Sequence, residues 1–226
     1  MVPSNILQRT FHIACNGESG TAFTIDVDGR QYLVTARHLI KDLSPDTSIL
    51  VLRSGRWDPI TFDDVWHSPT GADISLLSLS SQLSPALPVL IGDSTSFFLS
   101  QQIYFLGFPY GLHMEAGQEN DGYPVAFVKT GIVSSFSSVS GGSQLIYCDG
   151  HNNPGFSGGP IVTIGTNHEV TIIGVVSGYR FNEAPVLLNG TNTGLVYQAN
   201  TGLIIGYSAK EVFRRAQNAA NGAPVQ

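Results

Sequence analysis

A serine embedded among glycines is the first candidate for chemistry in this chain. Ser157 lies in Gly150-His151-Asn152-Asn153-Pro154-Gly155-Phe156-Ser157-Gly158-Gly159-Pro160, between the apolar segments Leu145-Ile146-Tyr147-Cys148 and Ile161-Val162-Thr163-Ile164. A glycine-dense turn between two buried strands can aim backbone N–H groups into a cleft instead of into a ladder. The amides of Gly155 and Ser157 are then expected to hold the oxygen that turns negative when the hydroxyl attacks a carbonyl. Serine is a weak nucleophile that needs a base, and the base needs an orienting partner. Val34-Thr35-Ala36-Arg37-His38 offers a histidine just past an apolar strand, and Gly71-Ala72-Asp73-Ile74-Ser75-Leu76-Leu77 offers an aspartate where one begins. The order His38, Asp73, Ser157 is one in which such a triad occurs.

Competing assignments are weaker. Gly155-Phe156-Ser157-Gly158-Gly159 also reads as a strand-to-helix nucleophile elbow, which needs an acid and then a histidine after the serine. No aspartate follows Ser157, and no carboxylate lies between it and His168. A serine esterase or acyltransferase on that fold is therefore disfavoured. His12, His67, His113, His151 and His168 read as surface or core histidines. Asp63 and Asp64 sit in a polar segment beside Trp66 and read as solvated, whereas Asp73 leads straight into an alternating apolar run.

The elements that must position these groups are strands. Strand-like runs fall at 22–27, 32–35, 48–52, 74–79, 102–105, 125–133, 145–148, 161–164, 170–176 and 202–205. Turn signals lie between them at Asp28-Gly29, Ser54-Gly55, Thr70-Gly71, Gly141-Gly142 and Asn189-Gly190. Short strands with such punctuation indicate an all-β sandwich or barrel, and no helices alternate with them as a parallel sheet requires. One helix is expected, over 207–220. Ser208-Ala209-Lys210-Glu211 has capping-box spacing, and Val212, Phe213 and Ala216 form an apolar face. Residues 221–226 are expected to fray. The stretch 80–88 is the best candidate for a connection between a first half at 10–83 and a second at 89–206, within a single domain over 1–226.

Composition narrows the function classes. The 226 residues are 42% hydrophobic and 12% charged, with a net charge of −6, which argues against a nucleic-acid partner. No apolar run has the length of a membrane helix. The start Met1-Val2-Pro3-Ser4-Asn5 has no basic and apolar leader, so the expectation is a cytoplasmic protein. Cys15 and Cys148 are too few for a disulfide framework and read as buried thiols, with one bridge between them only if the protein is exported. The histidines and cysteines show no metal-ligand spacing. No cofactor is implied, and a monomer is the default.

The three motifs together resemble the signatures of trypsin/chymotrypsin-like serine proteases, and most of all the protease domain of the HtrA (Deg) group. The resemblance extends to Ile91-Gly92-Asp93-Ser94, Leu106-Gly107-Phe108-Pro109-Tyr110-Gly111, Gly131-Ile132-Val133-Ser134, Cys148-Asp149, Ile173-Gly174-Val175-Val176-Ser177 and Gly202-Leu203-Ile204-Ile205. It implies two packed six-stranded β-barrels with a C-terminal helix. His38 and Asp73 would come from the first barrel and Ser157 from the second, in a serine endopeptidase acting on protein or peptide substrates. It further implies that Ser177 and Gly178 pair with the substrate backbone, that His151 and Asn152 lie near the base of the primary specificity pocket, and that Tyr179 narrows its mouth. A small or aliphatic side chain is expected there ahead of an acidic one read by His151. Phe156 departs from the pattern. Digestive enzymes carry an aspartate there that pairs with a freshly cut N-terminus, so the ring implies a loop anchored in the second barrel's core. No PDZ domain is expected after the helix, and 112–123 and 180–193 read as long loops near the cleft. The alternative function is a pseudoprotease that only binds peptides.

Overall fold

In a computed structural model, which describes residues 1–41, 43, 48–92, 96–138 and 143–226, the apolar runs form two curled, mainly antiparallel sheets. A short helix α1 (Ser4–Leu7) leads into β1 (Thr10–Cys15), β2 (Glu18–Val27) and β3 (Arg30–Thr35). The single-turn helix α2 (Arg37–Ile40) is followed by β4 (Leu50–Arg53), β5 (Arg56–Pro59), β6 (Phe62–His67) and β7 (Ser75–Leu79). Their spatial order is β5-β4-β1-β2-β3-β7-β6. The second sheet holds β8 (Leu90–Ile91), β9 (Gln102–Gly107), β10 (Phe127–Ser138), β11 (Gln144–Asp149), β12 (Pro160–Ile164), β13 (Val170–Leu188) and β14 (Thr191–Ser208). Here β12 pairs with both β9 and β13, so six strands close on themselves, and β8 adds in parallel to β13. The six-strand expectation thus fits the second sheet. The first has seven strands on an open path, plus a small addition from the C-terminus.

Turn chemistry explains the tight hairpins. Asp28-Gly29, Ser54-Gly55 and Asn189-Gly190 each carry two consecutive positive φ values, the mirror-image turn whose twist matches the strands it joins. The expected turn at Gly141-Gly142 lies outside the described residues, as do Asp93 and Ser94.

The core is arranged around alternation. On β2 and β3, Ala22 and Leu33 point into the first sheet's own interior, while Phe23 and Val34 point the other way. There they meet Leu106, Phe108, Val162 and Val175 of the second sheet and Val212 of the C-terminal helix. Every residue of β7 is buried, as a strand covered on both faces must be. Cys15 lies in the first sheet's interior and Cys148 in the second's, so no disulfide joins them. Burial pushes the Cys148 thiol up to about 12, which makes it inert.

Three expectations need correction. The helix α3 is shorter than predicted (Lys210–Gln217) and has no capping box. Glu211 instead accepts hydrogen bonds from Ser68, Thr70 and Ser143, which draws its carboxylate away from the helix start. The tail does not fray: β15 (Ala223–Pro224) pairs with β3, and Ala223 is buried. Residues 180–193 are not a loop, because β13 and β14 continue past the barrel as a two-stranded ribbon. No helix among the described residues is long and apolar enough to cross a membrane.

Candidate active site

His38 stands on the single turn α2, entered from Ala36 in extended conformation. Leu39 and Ile40 are buried beneath that turn, so the imidazole is left at the cleft, partly exposed. Asp73 sits between the fully buried Ala72 and Ile74, which fix its backbone as the chain enters β7. The carboxylate grips His38 twice: Oδ1 accepts the His38 backbone N–H at 2.8 Å, and Oδ2 lies 2.6 Å from Nδ1. The Ser177 hydroxyl donates a third hydrogen bond to Oδ2, at 2.6 Å.

These contacts shift both groups in opposite directions. The hydrogen bond that His38 donates to Asp73, opposed by burial, raises the His38 pKa above its ordinary value. Burial pushes the Asp73 carboxyl up, but the hydrogen bonds from His38 and Ser177 outweigh it and hold the group below the usual carboxylate range. The carboxylate therefore stays ionised and favours the tautomer with its proton on Nδ1, which leaves Nε2 as the acceptor.

Ser157 comes from the loop between β11 and β12. Its hydroxyl donates to the Ser177 carbonyl at 3.1 Å, and among the described residues no hydrogen bond joins it to His38. The loop is strapped across the interface between the sheets by Thr21 of β2. The Thr21 N–H donates to the Ser157 carbonyl at 2.8 Å, and its hydroxyl donates to the Gly155 carbonyl at 2.7 Å. Gly158 donates to Val176, and Val176 donates back to Gly159. Phe156 is fully buried in the second barrel's interior, edge-on to Phe105 with ring centroids 5.0 Å apart.

Two glycines make this path sterically feasible. Gly155 has φ +104, and a Cβ there would lie 2.1 Å from the Phe108 carbonyl oxygen; a Cβ on Gly158 (φ +83) would lie 2.0 Å from that of Thr21. The amides of Phe156, Gly158 and Gly159 are all used inside the protein, whereas among the described residues no backbone hydrogen bond takes up those of Gly155 and Ser157.

The remaining predicted residues separate into two kinds. Asn152 is buried and has its polar atoms occupied. Its amide donates to the Gly178 carbonyl, its side-chain oxygen accepts from Asn153, and its carbonyl accepts from Asn200. His151 is exposed, and its carbonyl accepts from Lys129. Ser177, Gly178 and Tyr179 are half-buried along β13. Sequence reasoning missed Thr21, Lys129 and the Ser177 side chain. The small residues Ser19-Gly20-Thr21 carried the only signal for the first, since a Cβ on Gly20 would sit 3.0 Å from the Ser157 carbonyl oxygen.

Comparison with known proteins gives a consistent picture. The family model described as a trypsin-like peptidase domain matches residues 20–175. The HtrA-type protease AlgW, solved with a tripeptide, superposes with a TM-score of 0.62 at 18% identity, covering 95% of this chain and 61% of that one. This chain therefore spans about three-fifths of AlgW's length. An inactive form of Rv3671c from M. tuberculosis gives 0.57 at 17% identity, covering 96% and 89%. At such identities the likeness is one of fold. No curated protein sequence matches the chain.

Proposed function

Because this chain belongs to the trypsin-like peptidase domain family, we propose that it is a serine endopeptidase using His38, Asp73 and Ser157. The 2.6 Å contact between His38 Nδ1 and the Asp73 carboxylate, beside a serine in a glycine-bounded loop, carries this reading. In the reaction, the Ser157 hydroxyl turns from the Ser177 carbonyl to His38 Nε2, gives up its proton and attacks the scissile carbonyl. The two unoccupied amides, of Gly155 and Ser157, receive the oxyanion. Asp73 stabilises the imidazolium, which then protonates the leaving amine, and water repeats the sequence on the acyl-enzyme. Peptide is the expected substrate class, in line with the tripeptide carried by AlgW. Side-chain selection falls on His151 and Tyr179, since Asn152 is closed off.

A second reading, a peptide-binding module without turnover, draws on one observation: the serine hydroxyl rests on Ser177 rather than on His38. A small fluorophosphonate separates the two. Stoichiometric labelling of the folded protein, abolished by Ser157→Ala, is the expected result. A folded protein that resists labelling belongs to the binding module.

A further inference from the structure

The strand that faces Ser157 does not stop at the cleft. The pairing of β13 with β12 ends at Val175, opposite Pro160, and the last main-chain bonds across that edge run between Val176 and the Gly158–Gly159 segment. From Ser177 onward β13 pairs, among the described residues, with β14 alone. One edge of the strand is therefore open, and the Ser177 carbonyl that holds the Ser157 hydroxyl marks it as the edge facing the reaction centre.

Strand alternation then identifies which groups are presented there. The register shift between Tyr179, opposite Ile204, and Phe181, opposite Asn200, places its extra residues in β14, so β13 keeps its alternation. If Ser177 offers its main chain to the open edge, then so do Tyr179, Phe181 and Glu183. The carbonyls of the intervening Gly178 and Arg180 are already taken, by the side chains of Asn152 and Thr201. Pro185 falls next in the series and has no N–H, so a ladder on this edge stops there.

The ribbon carrying this edge is apolar and uncovered. Phe181, Val186, Leu187, Leu188, Leu195 and Tyr197 are all exposed, and Glu183 is the only charged residue between Arg180 and Gly202. Natural edge strands are ordinarily blunted by lysines or other charges. A two-stranded ribbon with a single charge and, among the described residues, no covering layer is suited to receiving a third strand.

We propose that the ribbon extends the substrate site: an extended, apolar segment of the protein substrate, N-terminal to the scissile bond, adds as a third strand along Ser177, Tyr179, Phe181 and Glu183. This rests on the protease reading and adds a substrate class to it, namely unfolded or strand-forming segments at least seven residues long before the cut. With the reacting residue counted as the first, residues three, five and seven lie opposite Tyr179, Phe181 and Glu183. Length beyond the seventh adds nothing, because Pro185 ends the ladder.

Peptidyl phosphonates that react with Ser157 test this on the wild-type protein. Three probes share valine at the reacting end: one of three residues, one of eight with alternating leucine and threonine, and the eight-residue probe N-methylated at its fifth and seventh residues. The eight-residue probe should label Ser157 about tenfold faster than the short one, the gain expected of one or two added main-chain hydrogen bonds. N-methylation should return it to the short probe's rate. Equal rates for the long and short probes would overturn the proposal, as would a gain that survives methylation. A wild-type dimer that dissociates when Leu195 is replaced by lysine would also overturn it, by giving the ribbon to a second copy. The small fluorophosphonate keeps the two claims apart: if it labels Ser157 while the length effect is absent, the protease reading stands and the ribbon site falls.

Discussion

The Ser157 loop and the ribbon hang on the same strand, β13, yet the chain treats them in opposite ways. Residues 150–160 are held from every side, by Thr21 of the other sheet, by Val176 of β13 and by Phe156 in the barrel interior. Among the described residues, 180–201 are held almost wholly by each other, the exception being Asn200, which donates to the Asn152 carbonyl. The first arrangement holds reacting groups in one geometry, which catalysis needs. The second leaves backbone and apolar side chains available to a partner, which recognition of a flexible substrate needs. A few residues of one strand thus separate a tightly held loop from an uncovered ribbon.

Substitutions in the two regions should differ by orders of magnitude. Replacing Asp73 by Asn preserves shape but leaves the His38 ring in the wrong tautomer, and should lower kcat about 10⁴-fold. A loss below about tenfold would mean that another carboxylate orients the base. Phe156→Ala opens a cavity in the second barrel and removes the loop's anchor. Denaturant titration should show a loss of about 3–5 kcal/mol, and a loss under about 1 kcal/mol would show that the ring is not what holds the loop. On the ribbon, Leu195→Ser should change stability by no more than about 0.5 kcal/mol. A larger loss would reveal packing on this side chain and contradict the description of the ribbon as uncovered.

The same contrast explains what could be read from the sequence. The candidate site is legible in the sequence because its requirements are local: glycine at Gly155 and Gly158, where a Cβ has no room, and His38 and Asp73 beside apolar runs. The hydrogen bond from Ser177 to Asp73 and the strap from Thr21 are not, because they join segments distant in sequence through side chains that are unremarkable in type. The ribbon reads as a loop in the sequence because Phe181 to Tyr197 mixes polar and apolar residues without the burial that makes alternation diagnostic. The turn at Asn189-Gly190 was visible, but nothing in the sequence showed that the strands beside it continue for so long. Glu211 has the spacing of half a capping box, but hydroxyls from the segments beside β6 and β11 claim it instead. Propensity and spacing reported the options open to that carboxylate, and tertiary structure chose among them.

The most direct test of the central claim is the rate of Ser157 phosphonylation as a function of pH. Only neutral His38 can take the serine proton, and Asp73 raises the pKa of His38 above its ordinary value. The rate should therefore rise with pH through a midpoint above about 6.5, and in Asp73→Asn the midpoint should move down as the raising influence is lost. A rate that stays flat between about pH 5 and 8 would contradict the account, because a hydroxyl that reacts equally well beside a protonated imidazole is not activated by it.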